Sequence, residues 1–271
     1  MKIHVVGAGV IGCATGKGFA RFGHQVVYSD IDPRARDRIG DAEFHISGKG
    51  NWIPEANVHF ICTPEGSVPD VVRSLKTIQG AIVIRSSVPP GTTQKLAEEL
   101  NRILWHNPEF LREAMAEQDF LWARYAIVGT PTKNSRFNPS LRNGLNTIYN
   151  FVELYEEMGI EVFYCSSTES ELVKLFTNTY LATLISIWSE NKLLCDALSV
   201  NSHKVARLVA LDERVSKYGA YMHGAAYGGM CLPKDVAQVL KLAEQMLGNP
   251  SDIATPLLYA VQLVNKRHRG E

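Results

Sequence analysis

Residues 2–12 read KIHVVGAGVIG, and the way this stretch folds decides the architecture of the chain. KIHVV is a short β-rich run. Gly7, Gly9 and Gly12 complete a GxGxxG pattern, and from Gly12 to Phe22 apolar residues recur at helical spacing until Gly23. A second β-rich run, QVVYS (25–29), ends at Asp30, roughly 20 residues beyond the glycines, as a dinucleotide-binding fingerprint requires. Gly7 permits the tight turn and Gly9 lets the backbone approach a pyrophosphate. Val10 and Ile11 open the helix whose N–H groups face the phosphates, and Gly12 lets that helix pack close to the sheet. Asp30 is placed to accept hydrogen bonds from both ribose hydroxyls and to repel a 2′-phosphate. The expected cofactor is therefore NAD rather than NADP, although Arg34 and Arg36 lie close by.

Further short apolar runs follow: VHFIC (58–62), AIVIR (81–85) and YAIVG (125–129). Unalternated β-branched runs separated by helices predict a parallel sheet covered on both faces. From about Ser166 the character changes, because STESELVKLFTNTYLATLISIWSENKLLCDAL contains neither Gly nor Pro. This predicts one long helix, capped by Ser167 or Thr168 with Glu171 reaching back. The expected fold class is α/β: a Rossmann-type, doubly wound, mainly parallel sheet over residues 1–165, then an all-helical domain over 166–271 built on a long central helix. That helix would run about 45 Å at 1.5 Å per residue. Its apolar residues (Leu172, Phe176, Tyr180, Ile187 and Leu194 among them) occupy more than one face, which predicts burial in a two-fold homodimer.

Composition narrows the class. Lys+Arg and Asp+Glu balance at 28 each, so bulk charge supplies no argument for nucleic acid or for a membrane surface. The five cysteines show no CxxC, which suits reduced thiols in the cytosol better than a disulfide framework or a zinc site. The eight histidines include no pair at metal-ligand spacing on one helix, so no metal is expected. No signal peptide is visible, since MKIHVVGAG is expected to run straight into a strand and a glycine turn, and no apolar run approaches the roughly 20 residues of a membrane helix. The expectation is a cytoplasmic protein acting on a small molecule.

Two constellations carry candidate chemistry. Lys174 and Asn178 are four residues apart, hence on one helix face. Such a pair either holds an alcohol oxygen as it becomes a carbonyl, Lys174 supplying charge or a proton path and Asn178 a neutral hydrogen bond, or is an ordinary solvated face. YGGMCLPKD (227–235) places Cys231 just before a helix whose first turn holds Pro233. The helix dipole and Lys234 favour the thiolate there, Gly228 and Gly229 leave room, and Asp235 could orient a lysine or a water. The alternative is a small buried apolar cysteine.

GAGVIG with Asp30, SSVPPGT (86–92), NPEFLREA (107–114), ELVKLFTN (171–178), NKLLCDAL and YGGMCLPKD occur in that order. Together they resemble the UDP-glucose/GDP-mannose dehydrogenase family over nearly the whole chain. The resemblance implies two successive oxidations of a sugar alcohol to a carboxylate with two NAD. Cys231 would be the nucleophile that holds the aldehyde as a thiohemiacetal and then a thioester. It makes Lys174 and Asn178 the oxyanion stabilisers, Asp235 a partner of the catalytic water or lysine, and Glu113 the acid/base group. Glu109, with Phe110 and Leu111, and Gly228 would line the substrate. Ser87 would stand near the water and cofactor, and Thr63-Pro64 at the cofactor after a central strand. The family continues into a second α/β domain that completes the nucleotide-sugar pocket. The expectation is therefore a natural minimal member with another substrate, a pocket completed by a partner chain, or a fragment. This chain keeps the catalytic set and is expected to lose nucleotide recognition. Two alternatives stand beside this: a one-step β-hydroxyacid or 6-phosphogluconate-type dehydrogenase, which needs no cysteine, and a silent NAD-binding protein.

Overall fold

The computed structural model of this 271-residue chain describes residues 1–47, 54–130, 150–229, 231–247 and 255–271. They form two compact units, Met1–Lys174 and Leu175–Glu271.

The first unit is built on eight strands: β1 (Lys2–Val6), β2 (Gln25–Asp30), β3 (Glu43–Ile46), β4 (Val58–Ile61), β5 (Ala81–Ile84), β6 (Leu104–His106), β7 (Tyr125–Thr130) and β8 (Glu161–Ser166). They lie in the order β3-β2-β1-β4-β5-β6-β7-β8. All neighbours are parallel except β6 and β7, which meet antiparallel at His106 and Gly129. The helices of this unit are α1 (Val10–Arg21), α2 (Val68–Ser74), α3 (Thr92–Leu100), α4 (Ala116–Leu121) and α5 (Asn150–Glu157), with the opening turns of α6 (Ser167–Ala197).

The side-chain period of two along each strand divides the core. Ile3, Val5, Phe60, Val83 and Trp105 face one apolar cluster with Phe19 and Phe151. Val6, Ile61, Ile82, Ile84 and Leu104 face another with Val72 and Leu96. Both faces of the sheet are thus covered, as the unbroken β-branched runs require. His4 and His59 interrupt the apolar pattern. Their Nδ1 atoms are 2.9 Å apart, and His4 Nε2 lies 2.8 Å from Ser29 Oγ. Burial holds both neutral, with pKa values pushed down to about 3 for His4 and about 4 for His59.

The second unit holds the remainder of α6 with α7 (Ser202–Val209), α8 (Lys217–Tyr221), α9 (Cys231–Leu247) and α10 (Pro256–Arg269). One core gathers Ala182, Ile185, Tyr227, Val236 and Val261, and a second gathers Trp188, Ala206, Ala210 and Ala220. Among the described residues no helix is long and apolar enough to cross a membrane.

The long helix is present, but its cap differs from the expectation. Ser166 Oγ accepts from Glu169 N at 3.2 Å while Ser166 N donates to Glu169 Oε2 at 2.7 Å. The reciprocal box is therefore Ser166/Glu169, neither Ser167 nor Thr168 with Glu171. Glu171 points into the unit and is used elsewhere.

Candidate functional site

The glycine turn is shaped by backbone sterics. Gly7 has φ +95°, and a Cβ there would lie 2.6 Å from the carbonyl oxygen of Cys62. A Cβ on Gly12 would lie 1.8 Å from the carbonyl oxygen of Gly7, so α1 can approach the turn only without a side chain at this position. Gly9 begins α1 with no side-chain cap and with open space where its Cβ would be, and Val10 beside it is exposed. A helix N-terminus with uncapped N–H groups facing free space suits a diphosphate. Asp30 closes the second strand. Its Oδ2 accepts from Ala8 N at 2.7 Å and its Oδ1 from Asp32 N at 2.9 Å, which fixes the carboxylate and leaves lone pairs for a diol. Thr63, before Pro64, carries a buried Oγ1 with no partner among the described residues. These features fit a dinucleotide. Arg34 is engaged with Asp32 at 3.0 Å. It is Arg38, missed in the sequence, that lies over the turn, Nη1 donating to Ala8 O at 3.1 Å.

Lys174 lies buried in the first unit, and its Nζ donates to Glu109 Oε1 at 2.8 Å and to Glu109 O at 2.7 Å. Glu109 Oε2 accepts from Leu111 N at 2.7 Å, and Lys174 Nζ stands 5.6 Å from the centre of the Phe110 ring. A desolvated ion pair of this kind holds only while every remaining hydrogen bond is satisfied. The loop that brings Glu109 there is secured by Asn107. Its Nδ2 donates to Ile127 O at 2.8 Å, and its Oδ1 accepts from Tyr155 OH at 2.6 Å and from Arg85 Nη1. Glu113 is placed differently from Glu109. It is exposed on the wall of an open cavity of about 540 Å³ shared with Val10, Cys13 and Arg38. Ser87 is half-buried two residues after Arg85.

One turn after Lys174, Asn178 is also buried, so the pair is not a solvated face. In the second unit Asn178 Nδ2 donates to Asp235 Oδ2 at 2.5 Å, and Lys234 Nζ donates to Asp235 Oδ1 at 2.5 Å. Asp235 is fully buried. It therefore orients Asn178 and Lys234. Cys231 is the first residue of α9 rather than the residue before it, and Pro233 stands third, within the first turn. Its thiol-bearing side chain is exposed, unlike buried Cys13 or half-buried Cys62 and Cys165, whose pKa values burial pushes up, that of Cys62 to about 12. A Cβ on Gly228 would meet nothing within 4 Å. The pairings Lys174–Glu109 and Asn178–Asp235 span 65 and 57 residues, and no local sequence signal marks them.

A dinucleotide turn on a doubly wound sheet, followed by a helical unit, is an architecture that nicotinamide-dependent dehydrogenases use. Residues 168–267 match the model of the UDP-glucose/GDP-mannose dehydrogenase family, central domain. The UDP-glucose 6-dehydrogenase of Campylobacter jejuni is 29% identical over 98% of this chain and 72% of its own length. The fold matches a UDP-glucose dehydrogenase from Pyrobaculum islandicum with a TM-score of 0.77 at 24% identity, covering 98% of this chain and 68% of that one. It also matches the Mycobacterium tuberculosis 3-hydroxyisobutyrate dehydrogenase, with a TM-score of 0.72 at 13% identity over 100% of this chain and 94% of that one. The chain belongs to the UDP-glucose/GDP-mannose dehydrogenase family, and NAD is its cofactor.

Proposed function

We propose that this protein oxidises the primary alcohol of a nucleotide-sugar, or of a related polar alcohol, to a carboxylate in two steps at Cys231. The observation that carries this is the exposed thiol at the head of α9, one turn before a fully buried Asp235 that holds Asn178 and Lys234.

Gly7, Gly9, Val10, Ile11, Gly12, Asp30, Thr63 and Pro64 would hold NAD, which when bound accepts a hydride at each oxidation, a fresh molecule serving the second. In the first oxidation the alcohol proton passes by way of Lys174 to the Glu109 carboxylate paired with it. The Lys174 charge stabilises the developing oxyanion, with Asn178 donating a neutral hydrogen bond. Cys231 Sγ then adds to the aldehyde carbon to give a thiohemiacetal, whose oxygen the same donors hold. The second oxidation leaves a thioester. Water attacks it with its proton passing to a carboxylate, and the C–S bond breaks to release the acid and the thiolate. The resemblance assigned that carboxylate to Glu113. The geometry favours Glu109 instead, because Glu109 contacts Lys174 while Glu113 lies exposed on a separate wall. Residues 1–165 serve as the cofactor domain and 166–271 as the catalytic and dimerisation domain, with Ser87 near the water.

A homodimer through α6 belongs to this proposal. Val173, Tyr180, Ile187 and Leu194 are all exposed and stand seven residues apart, with Phe176 exposed beside them. A heptad stripe on one helix is complementary to its own copy across a two-fold axis. Light scattering at micromolar concentration is expected to give twice the chain mass.

The decisive experiment counts NADH per substrate across UDP-glucose, GDP-mannose, UDP-N-acetyl sugars and simple hydroxyacids. Two per substrate is expected. One per substrate on a hydroxyacid would establish the one-step reading, which the match to the 3-hydroxyisobutyrate dehydrogenase fold favours.

A further inference from the structure

We infer that Glu171 is a positioning residue whose carboxylate fixes the Ser86–Thr93 segment, and with it Ser87, relative to Lys174. The inference rests on the proposed reaction for its consequence and on the first unit alone for its geometry.

The segment leaves β5 and is anchored at its start. Ser86 N donates to Ile61 O at 3.1 Å, and Ser86 Oγ donates to Thr63 O at 2.6 Å. It is anchored again at its end. Glu171 Oε2 accepts from Gly91 N at 2.5 Å and Glu171 Oε1 accepts from Thr93 N at 2.8 Å. Between the anchors lie only Ser87, Val88, Pro89 and Pro90. Two prolines fix φ and carry no N–H, so this short span has little freedom of its own. The place of Ser87 is therefore set by where the two anchors are.

Gly91 is the N-cap of α3, with φ +89°, and it has no side chain with which to cap that helix. Glu171 supplies the cap from a different helix, 80 residues away in sequence. A serine or aspartate N-cap would satisfy Thr93 N locally and in water, but it could not reach its own N–H, and the φ of +89° at position 91 favours glycine. Glu171 instead is only 1% exposed. Burial pushes its carboxyl pKa up, against the pull of the Thr93 and Gly91 N–H groups. A buried acid is a costly way to cap a helix, and what it adds over a local cap is registration between two elements. Lys174 lies three residues further along α6 on the adjoining face. Ser170, one residue before Glu171, is held by His106 Nδ1 at 2.8 Å, so the turn of α6 that carries the acid is itself fixed. Glu171 touches neither cofactor nor alcohol in this scheme and acts through the loop.

Two variants test this in the full chain. Glu171→Gln keeps the shape and removes the charge; Glu171→Asp keeps the charge and shortens the reach, and serves if the first fails to fold. Hydrogen exchange followed by mass spectrometry is expected to show residues 88–99 exchanging at least tenfold faster in each variant, with β5 unchanged. For turnover, kcat for NADH formation is expected to fall at least tenfold while KM for NAD stays within twofold, because the glycine turn is untouched. Unchanged exchange would overturn the anchoring. Faster exchange with unchanged kcat would make Glu171 a purely structural cap and overturn its positioning role. A wild-type chain that forms no NADH from any alcohol would sink the proposed reaction, while the exchange result would still decide whether Glu171 holds the segment.

Discussion

Two glycine-marked turns open two helices in this protein, and they are built on opposite principles. At GAGVIG two of the three glycines are compulsory: Gly7 and Gly12 each have a backbone carbonyl oxygen within 2.6 Å of where a Cβ would stand. At YGGMCLPKD, Gly228 faces nothing within 4 Å, and the cysteine at the head of α9 is exposed. The first turn is closed by its own backbone, which suits a cofactor gripped through N–H groups. The second leaves space at Gly228 and exposes Cys231, which suits a reactant that must enter, bond and leave.

The largest effect that would break this comparison is at the thiol. Cys231→Ala is expected to lower two-step turnover on the order of 10³-fold or more, with NAD affinity by calorimetry unchanged. Iodoacetamide should label Cys231 ahead of buried Cys13, because access and thiolate character set the rate. An alanine variant that still yields two NADH per substrate would make the open turn a structural loop.

Next comes acid. His4, His59 and His106 all lie buried in the first unit, with pKa values lowered to about 3, about 4 and about 3, chiefly by desolvation. The native state holds them neutral, whereas the unfolded chain protonates them near 6.5. Their contribution to stability is therefore complete above about pH 6.5 and is lost as pH falls toward about 3. The slope is at most about 1.4 kcal/mol per pH unit for each histidine. Urea unfolding at pH 7, 6 and 5 should show falling stability with loss of the sheet signal. A flat profile would remove the histidines from the account.

A smaller effect tests the glycines directly. Gly12→Ala drives a Cβ toward the Gly7 carbonyl and is expected to cost about 1–3 kcal/mol or more and to weaken NAD binding. Gly228→Ala should change stability by less than about 0.5 kcal/mol. Equal costs would mean that the two turns are not built differently after all.

The same contrast explains what the sequence could disclose. GAGVIG was legible because its demands are local: a tight turn and a close helix need glycine wherever they occur. Lys174 was legible as a candidate, but its partner was not, since only the fold brings Glu109 to it across 65 residues. The resemblance gives the acid/base role to Glu113, and local spacing does not distinguish it from Glu109. Strand β6 escaped because LWH is three residues long, too short for any period to show. Strand β8 escaped because it leads directly into the long helix and exposes Phe163 and Tyr164. The antiparallel contact of β6 with β7 has no sequence signature at all.

The smallest prediction concerns the start of α6, where two S/T-x-x-E patterns overlap. Ser166 with Glu169 and Thr168 with Glu171 have the same spacing, so periodicity alone could not choose between them. The structure chooses by direction: Glu169 is exposed and returns to Ser166, whereas Glu171 is buried and spent on α3. Ser166→Ala should therefore cost about 1 kcal/mol, and Thr168→Ala should cost less. Hydrogen bonding with Ser166 holds the Glu169 carboxyl below its ordinary value. The contribution of the box is thus present above the usual glutamate pKa and is lost as pH falls through the lowered one. Thermal melts of the two variants at pH 7 decide the matter. If Thr168→Ala proves the costlier, the helix begins two residues later than described, and Glu171 would then be shared between its own helix and α3.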